Sequence, residues 1–277
     1  MPCVCELDGV RFELDAPFDF GFLERYGRVF RVFDDQDSGN ICFGLERGGV
    51  RRFVKFAGAR TRRGSVPPEQ AIANLRACAR AYADLRHECL IELLEAGEQG
   101  GGYALVFEWT DAVCMGRMYP ESHARFMAMP CSRRMEVFAE VQRFFAHVAR
   151  QGYVAIDFYD GSIMYDFERG RTVICDIDFF RRTPCVNDMG RMWGSARFQA
   201  PEEYRLGAPL DEITNVYTLG ATAFALLAGF SRAAQDWPLS PGLYAVAQRA
   251  VSPERGLRQG SIEQFRREWR AACGIPG

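Results

Sequence analysis

Up to Glu108 the apolar residues of this chain fall in short runs of strand period, interrupted by one helical stretch; beyond Trp109 helical period dominates. A strand turns every second side chain to the same face, whereas a helix returns to one face every three or four residues. A chain that segregates the two periods in this way is limited to a strand-rich part followed by a helical part, each with its own core. Its 277 residues suffice for one large domain or two modest lobes. The fold class expected is α+β.

Residues 4–7 and 10–14 read as a hairpin about Asp8-Gly9, with Val10, Phe12 and Leu14 alternating. Strands are expected at 26–33, 40–46 and 50–56. A helix follows at 69–85, where Ile72, Leu75, Ala79, Tyr82 and Leu85 recur at helical spacing. Strands at 89–96 and 103–108 close this part. In the second part helices are expected at 132–150, 213–229 and 261–272, the first with Met135, Phe138, Val141, Phe145 and Val148 on one stripe. A hairpin, 153–178, and an irregular stretch to Glu202 lie between the first two helices, and polar loops lie between the last two. The boundary between the parts falls at 108–112.

Net charge is −2 with no basic or acidic tail, which gives no support for nucleic acid or an anionic membrane as a partner. No apolar run reaches the ~18 residues of a membrane span, and the N-terminal residues carry neither a basic region nor an apolar core. A cytoplasmic protein is expected. The ten cysteines are scattered through apolar segments without a C-x-x-C pair, and there are three histidines, so buried thiols are expected rather than disulfides or a zinc site.

Two features carry chemistry. The hairpin at 153–178 presents Asp157 and Asp176 at strand ends, where paired acids suit a divalent cation and a proton acceptor; solvated acids on a surface hairpin are the alternative. Of the 34 basic residues only Lys55 is a lysine, and the rest are arginine. A compact ammonium and a planar guanidinium are not interchangeable where a point charge enters a confined phosphate site.

These pieces, in this order, resemble a eukaryotic-like Ser/Thr protein kinase over residues 26–272. The resemblance rests on Lys55, on Asp157 and Asp176, on Gly194-Ser195 before Ala200-Pro201-Glu202, on the helix from Asn215 to Gly220, and on Arg258 ahead of Gly260-Ser261. It implies a two-lobed protein-kinase-like fold. Residues 1–25 form an N-terminal hairpin extension packed on the N-lobe, 26–110 a strand-rich N-lobe and 111–277 a mainly helical C-lobe. By the same resemblance Lys55 holds the α- and β-phosphates of ATP, Asp157 takes the proton of the acceptor hydroxyl, and Asp176 binds Mg²⁺, or Mn²⁺ in its place. Glu108 and Thr110 meet the adenine edge through their backbones, with Phe107 as gatekeeper and Met164 beneath the ring. Arg258 pairs with Glu202.

Departures from the family pattern are specific. Of the three glycines of the phosphate loop only Gly39 remains, in a segment with three aspartates, 34–39. Ser162 stands where the family has a metal-binding asparagine, with Asp178 as a further oxygen ligand and Asp160 as a substitute donor or ligand. Tyr159 replaces a lysine, Phe53 the small residue above the adenine, Cys78 the regulatory-helix glutamate, and Asn215 an aspartate. Ile156 takes the place of the arginine that reads activation-loop phosphate, which leaves Thr183 or Ser195 without a reader if phosphorylated. Arg181, Arg182, Arg191 and Arg197 are candidates to bind an anionic substrate or partner, or form a solvated basic loop. The leading function is ATP-dependent transfer to a Ser/Thr hydroxyl of a protein. A pseudokinase serving as a nucleotide-binding or interaction module is the alternative, its partner regulatory rather than a substrate. A kinase-like phosphotransferase for small molecules, suggested by Asp176-Ile177-Asp178, is a third reading.

Overall fold

The computed structural model describes residues 3–274; positions 1–2 and 275–277, at the ends of the first and last expected segments, lie outside them. The chain is mixed α/β and divides into two compact units, Met1–Arg86 with Ile91–Asp111, and His87–Leu90 with Ala112–Gly277.

In the first unit, β1 (Cys3–Leu7) and β2 (Val10–Leu14) pair about Asp8 and Gly9, at φ 52 and 86. Two successive left-handed residues match the twist of a two-residue hairpin. Strands β3 (Arg28–Phe33), β4 (Asn40–Arg47) and β5 (Val50–Ala57), helix α1 (Pro68–Asp84), then β6 (Leu93–Gln99) and β7 (Gly102–Glu108) follow. The sheet is antiparallel throughout, in the order β3-β4-β5-β7-β6.

Both faces of this sheet are covered. On one, Ile41, Phe43, Leu45, Val54 and Phe56 meet Phe12, Leu14, Phe18 and Phe20 of the N-terminal extension. Ring centroids are 5.1 Å apart for Phe20–Phe43, 6.2 Å for Phe12–Phe43 and 4.8 Å for Phe22–Phe56. Each fully buried ring contributes about 1.5–3 kcal/mol. Helix α1 packs on the opposite face, where the Tyr82 and Phe107 rings lie 4.9 Å apart. The extension also crosses the sheet: Arg25 and Tyr26 bond Glu95 of β6, while Asp8 accepts from Val29 N–H of β3 at 2.7 Å.

Two strand starts shift by two residues or more from expectation. The strand expected from residue 26 begins at Arg28, because Gly27 bends at φ 128 against β4; a Cβ there would sit 2.3 Å from the Glu46 carbonyl oxygen. The strand expected from residue 89 begins at Leu93. His87–Leu90 instead close a turn through Leu90 N–H to His87 O, 3.0 Å, and Leu90 bridges to Ile174 in the second unit.

The second unit runs β8 (Val113–Cys114), α2 (Pro120–Met127), α3 (Cys131–Arg150), β9 (Tyr153–Val154), β10 (Ile163–Asp166) and β11 (Arg171–Ile174). The rest is β12 (Arg181–Arg182), β13 (Cys185–Val186), β14 (Pro209–Leu210), α4 (Glu212–Ala228), α5 (Pro241–Ala250) and α6 (Ile262–Ala272). Helix α5 falls where polar loops were expected, and α2 in a stretch to which no element was assigned. Both are short, and α2 buries only Phe126, too little for a periodic signal. Helix α4 is the axis of the unit and is buried on all sides. Asp211 caps its start by accepting from Ile213 N–H at 2.8 Å, and Gly229, at φ 57, ends it one residue earlier than the sequence pattern implies. Phe138 of α3 and Trp237 pack around it against Trp269 and Phe224. Among the described residues no helix is long and apolar enough to cross a membrane, and no disulfide joins the cysteines.

Candidate active site

Asp157 follows β9 and Asp176 follows β11, and both adopt left-handed backbone, at φ 61 and 56. Among the described non-glycine residues only Asp8 and Phe230 share that feature. Such conformations cost energy and persist only where neighbours hold them. Three sets of contacts do so at Asp157. Asn215 of α4 accepts from Ala155 N–H at 2.7 Å and donates to Tyr153 O at 2.9 Å, which fixes the chain leading into Asp157. Phe158 packs on Phe145, 4.9 Å, and on Phe180, 6.4 Å, joining the loop after Asp157 to the loop after Asp178. Gly194 closes the other side, where a Cβ would lie 3.3 Å from Asp157 Oδ1.

The β10–β11 register continues one step past the strands, with Cys175 N–H donating to Ser162 O at 2.9 Å, so Ser162 stands opposite Cys175, the residue before Asp176. Ser162 ends a 3-10 turn, and β10 starts at the next residue, Ile163. The serine is fully buried and its Oγ has no hydrogen-bond partner. An orphaned buried hydroxyl costs about 1–3 kcal/mol. Together with the Asp176 carboxylate it fits the oxygen donor set of a hard divalent cation. Asp178 is half-buried two residues on.

Tyr159 is half-buried, its ring folded over Gly161, where a Cβ would lie 2.3 Å away. Burial, then the charges of Asp176 and Asp157, push its hydroxyl far above the ordinary value, so both carboxylates act on this one phenol. Asp160 is neither a solvated acid nor a helix cap: it is 2% exposed, accepts from Arg117 N–H at 2.9 Å and pairs with Arg197 at 3.2 Å. Its oxygens are therefore engaged, unlike those of an available metal ligand. Met164 is half-buried on β10 between Val173 and Cys114.

In the first unit Lys55 is 8% exposed on β5, opposite Cys42 and Leu105. It shares a face with Phe53, since Val54 and Phe56 turn into the opposite core. Phe53 lies opposite Gly44 and Phe107, and its ring is 5.7 Å from Phe33 and 6.3 Å from Phe107. Glu108, the end of β7, bonds Glu92 on β6's approach through N–H to O, 3.0 Å, and Thr110 follows Trp109, whose indole donates to Asp111 at 2.8 Å. The buried side of α1 is Ala71, Leu75, Cys78, Ala81 and Tyr82, a face without a carboxylate. Cys78 donates to Leu75 O at 3.2 Å, and both Glu69 and Asn74 are exposed.

Gly39, at φ 78, is wedged against α1 and the loop before it; a Cβ would meet Ala71 and Val66 at 3.2 Å. Ser65 N–H and hydroxyl both donate to Asp37 O at 2.8 Å. Asp34 accepts from Glu13 N–H at 3.2 Å and Asp35 pairs with Arg63 at 2.6 Å, so two of the three aspartates have local partners.

The Glu202–Arg258 pair is bidentate, at 2.7 and 3.0 Å, with both side chains buried and Arg255 adding a third bond at 2.9 Å. Burial raises the Glu202 carboxyl, but the Arg258 hydrogen bonds outweigh it and hold the group below its ordinary range. The four arginines named as candidates for an anion or as a solvated basic loop each have a partner of their own in the structure. Arg181 pairs with Asp188 at 2.8 Å, Arg182 stacks on Tyr153, Arg191 on Tyr204, and Arg197 joins Asp160. Arg197 Nε also reaches Ser195 Oγ at 3.2 Å, so Ser195, unlike the sequence-based expectation, has a guanidinium neighbour.

Carboxylates after the ends of β9 and β11, together with the orphaned buried hydroxyl of Ser162, suit chemistry on phosphate and a divalent cation. No family model matches the chain. Over 183 residues, 63% of its length, it is 25% identical to the serine/threonine-protein kinase PksC of Streptomyces coelicolor. That stretch takes in 33% of PksC, well under half of the relative's length. The relationship is a distant, kinase-like one.

Proposed function

We propose that this chain is a two-lobed, protein-kinase-like α+β protein that transfers the γ-phosphoryl group of ATP to a Ser or Thr hydroxyl of a protein. The observation that carries the reading is the left-handed backbone at both Asp157 and Asp176, the Asp157 loop being braced by Asn215, Phe158 and Gly194. Strain held at two carboxylates points to a functional constraint on them. Asp157 would orient the acceptor hydroxyl and take its proton as the oxygen bonds to phosphorus and the link to ADP breaks. Asp176, Ser162 and Asp178 would hold Mg²⁺, which when bound spreads the negative charge of the phosphates. Lys55, the only ammonium side chain in the sequence, would anchor the phosphates. Phe53 and Phe107 would flank an adenine whose edge meets Glu108 and Thr110, with Met164 against the ring and Gly39 in the phosphate turn.

A second reading, a nucleotide-binding or interaction module without turnover, is favoured by the buried face of α1, which offers Cys78 where a carboxylate would steady Lys55. The test is label transfer from γ-labelled ATP to a generic protein substrate with Mg²⁺ or Mn²⁺. Transfer by the parent, and none by Asp157→Asn or Lys55→Ala, is expected. Transfer that persists in both variants would refute the site assignment, and absence of both transfer and a Mg–nucleotide shift in melting temperature would leave only the interaction module.

A further inference from the structure

Phe230 is the one aromatic residue among the described non-glycine residues with left-handed backbone, at φ 76. For a bulky side chain this is a genuine outlier. It follows the Gly229 cap, and its N–H closes the end of α4 on Phe224 O at 3.0 Å. The strain places its ring among cationic side chains. The Arg197 guanidinium carbon is 4.5 Å from the ring centroid and that of Arg117 is 5.4 Å away, with the His123 ring stacked at 5.9 Å. Arg232 joins them by donating to Arg197 O at 3.2 Å and to the Tyr217 hydroxyl at 3.3 Å.

The charge here is unbalanced. Asp160 is the one carboxylate bonded to the group, and it is shared between Arg197 Nη2 and the backbone N–H of Arg117. Asp236, the next acid along, accepts from Ser231 at 2.5 Å. Among the described residues neither Arg117 nor Arg232 has a carboxylate partner, and both are exposed. Guanidiniums gathered without anions repel one another, and stacking on an aromatic face leaves their N–H edges free to bind a planar or tetrahedral oxyanion. The cluster also connects to the Asp157 loop through intermediate residues. Arg197 bonds Ser195, whose neighbour Gly194 abuts Asp157 Oδ1, and the rings of Tyr159, Phe198 and Phe230 follow one another at 6.4 and 6.1 Å.

We propose that Arg117, Arg197 and Arg232 around Phe230 bind an oxyanion carried by the acceptor polypeptide close to its hydroxyl, which makes the substrate an acidic or already phosphorylated segment. The inference rests on the protein-kinase reading. It was not legible in the sequence because Arg117, Arg197 and Arg232 come from three separate segments. Only Arg197 was among the basic residues singled out there.

A binding assay separates the two readings, since it requires no turnover. Fluorescence anisotropy would follow a labelled serine peptide flanked by Asp and Glu, its Asn/Gln counterpart, and a version with flanking phosphoserine. Each would be titrated with the full chain and with Arg117→Gln and Arg232→Gln, exposed positions at which glutamine spares the Arg117 backbone bond to Asp160. The acidic or the phosphorylated peptide is expected to bind at least about tenfold more tightly than the neutral one, and each substitution to weaken that binding about three- to tenfold and flatten its salt dependence. The stronger of the two charged peptides identifies the oxyanion as carboxylate or phosphate. Equal binding of charged and neutral peptides, or unchanged affinity in both variants, overturns the site. Label transfer to a generic substrate with no charge preference would then leave the kinase reading standing, whereas charge-selective binding without label transfer would remove the enzyme and keep the site.

Discussion

Glu203→Gln should stabilise the protein increasingly as pH rises from 4.5 to 8, so that its gain over the parent is larger at pH 9 than at pH 6. Glu203 is 2% exposed. Burial first, opposed by the Ala200 N–H bond and reinforced by the charges of Glu202 and Asp157, pushes its carboxyl from the ordinary 4.5 up to about 8. A folded-state value above the unfolded one means that the native state holds this proton more tightly. The associated stability is fully present below pH 4.5 and is lost as pH rises through 8. At about 1.36 kcal/mol per unit, the interval from 4.5 to 8 sets a ceiling of about 5 kcal/mol. Relaxation and water entry reduce that, and a gain of about 1–3 kcal/mol for the variant at pH 9 is the working expectation. Glutamine keeps the volume and an oxygen for Ala200 N–H, which Glu203 meets at 2.7 Å. Urea melts followed by tryptophan fluorescence at pH 6 and pH 9 measure the difference. If the variant and the parent differ by the same amount at both pH values, Glu203 does not titrate in the folded protein as inferred. Its neighbour Glu202 acts with the opposite sign: held below its ordinary value, it stabilises above pH 4.5 and loses that contribution as the solution is acidified through its folded value.

Other substitutions test the frame around the site. Asn215→Asp removes the donor to Tyr153 O and buries a carboxylate in a fully enclosed position, so a loss of about 2–4 kcal/mol is expected in urea; a neutral result would show that the two Asn215 bonds do not hold the Asp157 loop. Arg258→Met leaves Glu202 buried with Arg255 as its remaining cation and should cost about 3–5 kcal/mol, most of it recovered by also changing Glu202 to Gln; absence of recovery would put the cost in packing rather than charge. Gly39→Ala forces a Cβ against Ala71 and Val66 at φ 78, with a predicted loss of about 1–2 kcal/mol in thermal or urea unfolding; an unaffected protein would mean that the 34–39 turn is not held as described.

Local sequence carried a good deal of this protein. The Asp8-Gly9 turn, the alternation of Val10, Phe12 and Leu14, and the helical stripes at 69–85 and 132–150 all encode their conformation within a few residues, because backbone sterics and one-sided burial act over that range. Short elements such as α2 and α5 did not show, since eight or ten residues with few buried side chains hold too little pattern. Nor could any sequence window show which partners would meet. The identities of Asp157, Asp176 and Ser162 are read from the chain. That Ser162 lies opposite Cys175 with an unpaired hydroxyl, that Asn215 clamps both Tyr153 and Ala155, and that Asp160 is consumed by Arg117 and Arg197, follow only from tertiary pairing. The N-terminal extension makes the same point. The alternation of Val10, Phe12 and Leu14 marked an apolar face, but only the folded sheet determined that this face, with Phe18, Phe20 and Phe22, would lie opposite α1, against Phe43 and Phe56. Residue type sets the chemistry available at each position, whereas desolvation and hydrogen-bond partners, which decide what that chemistry does, exist only after distant segments have packed.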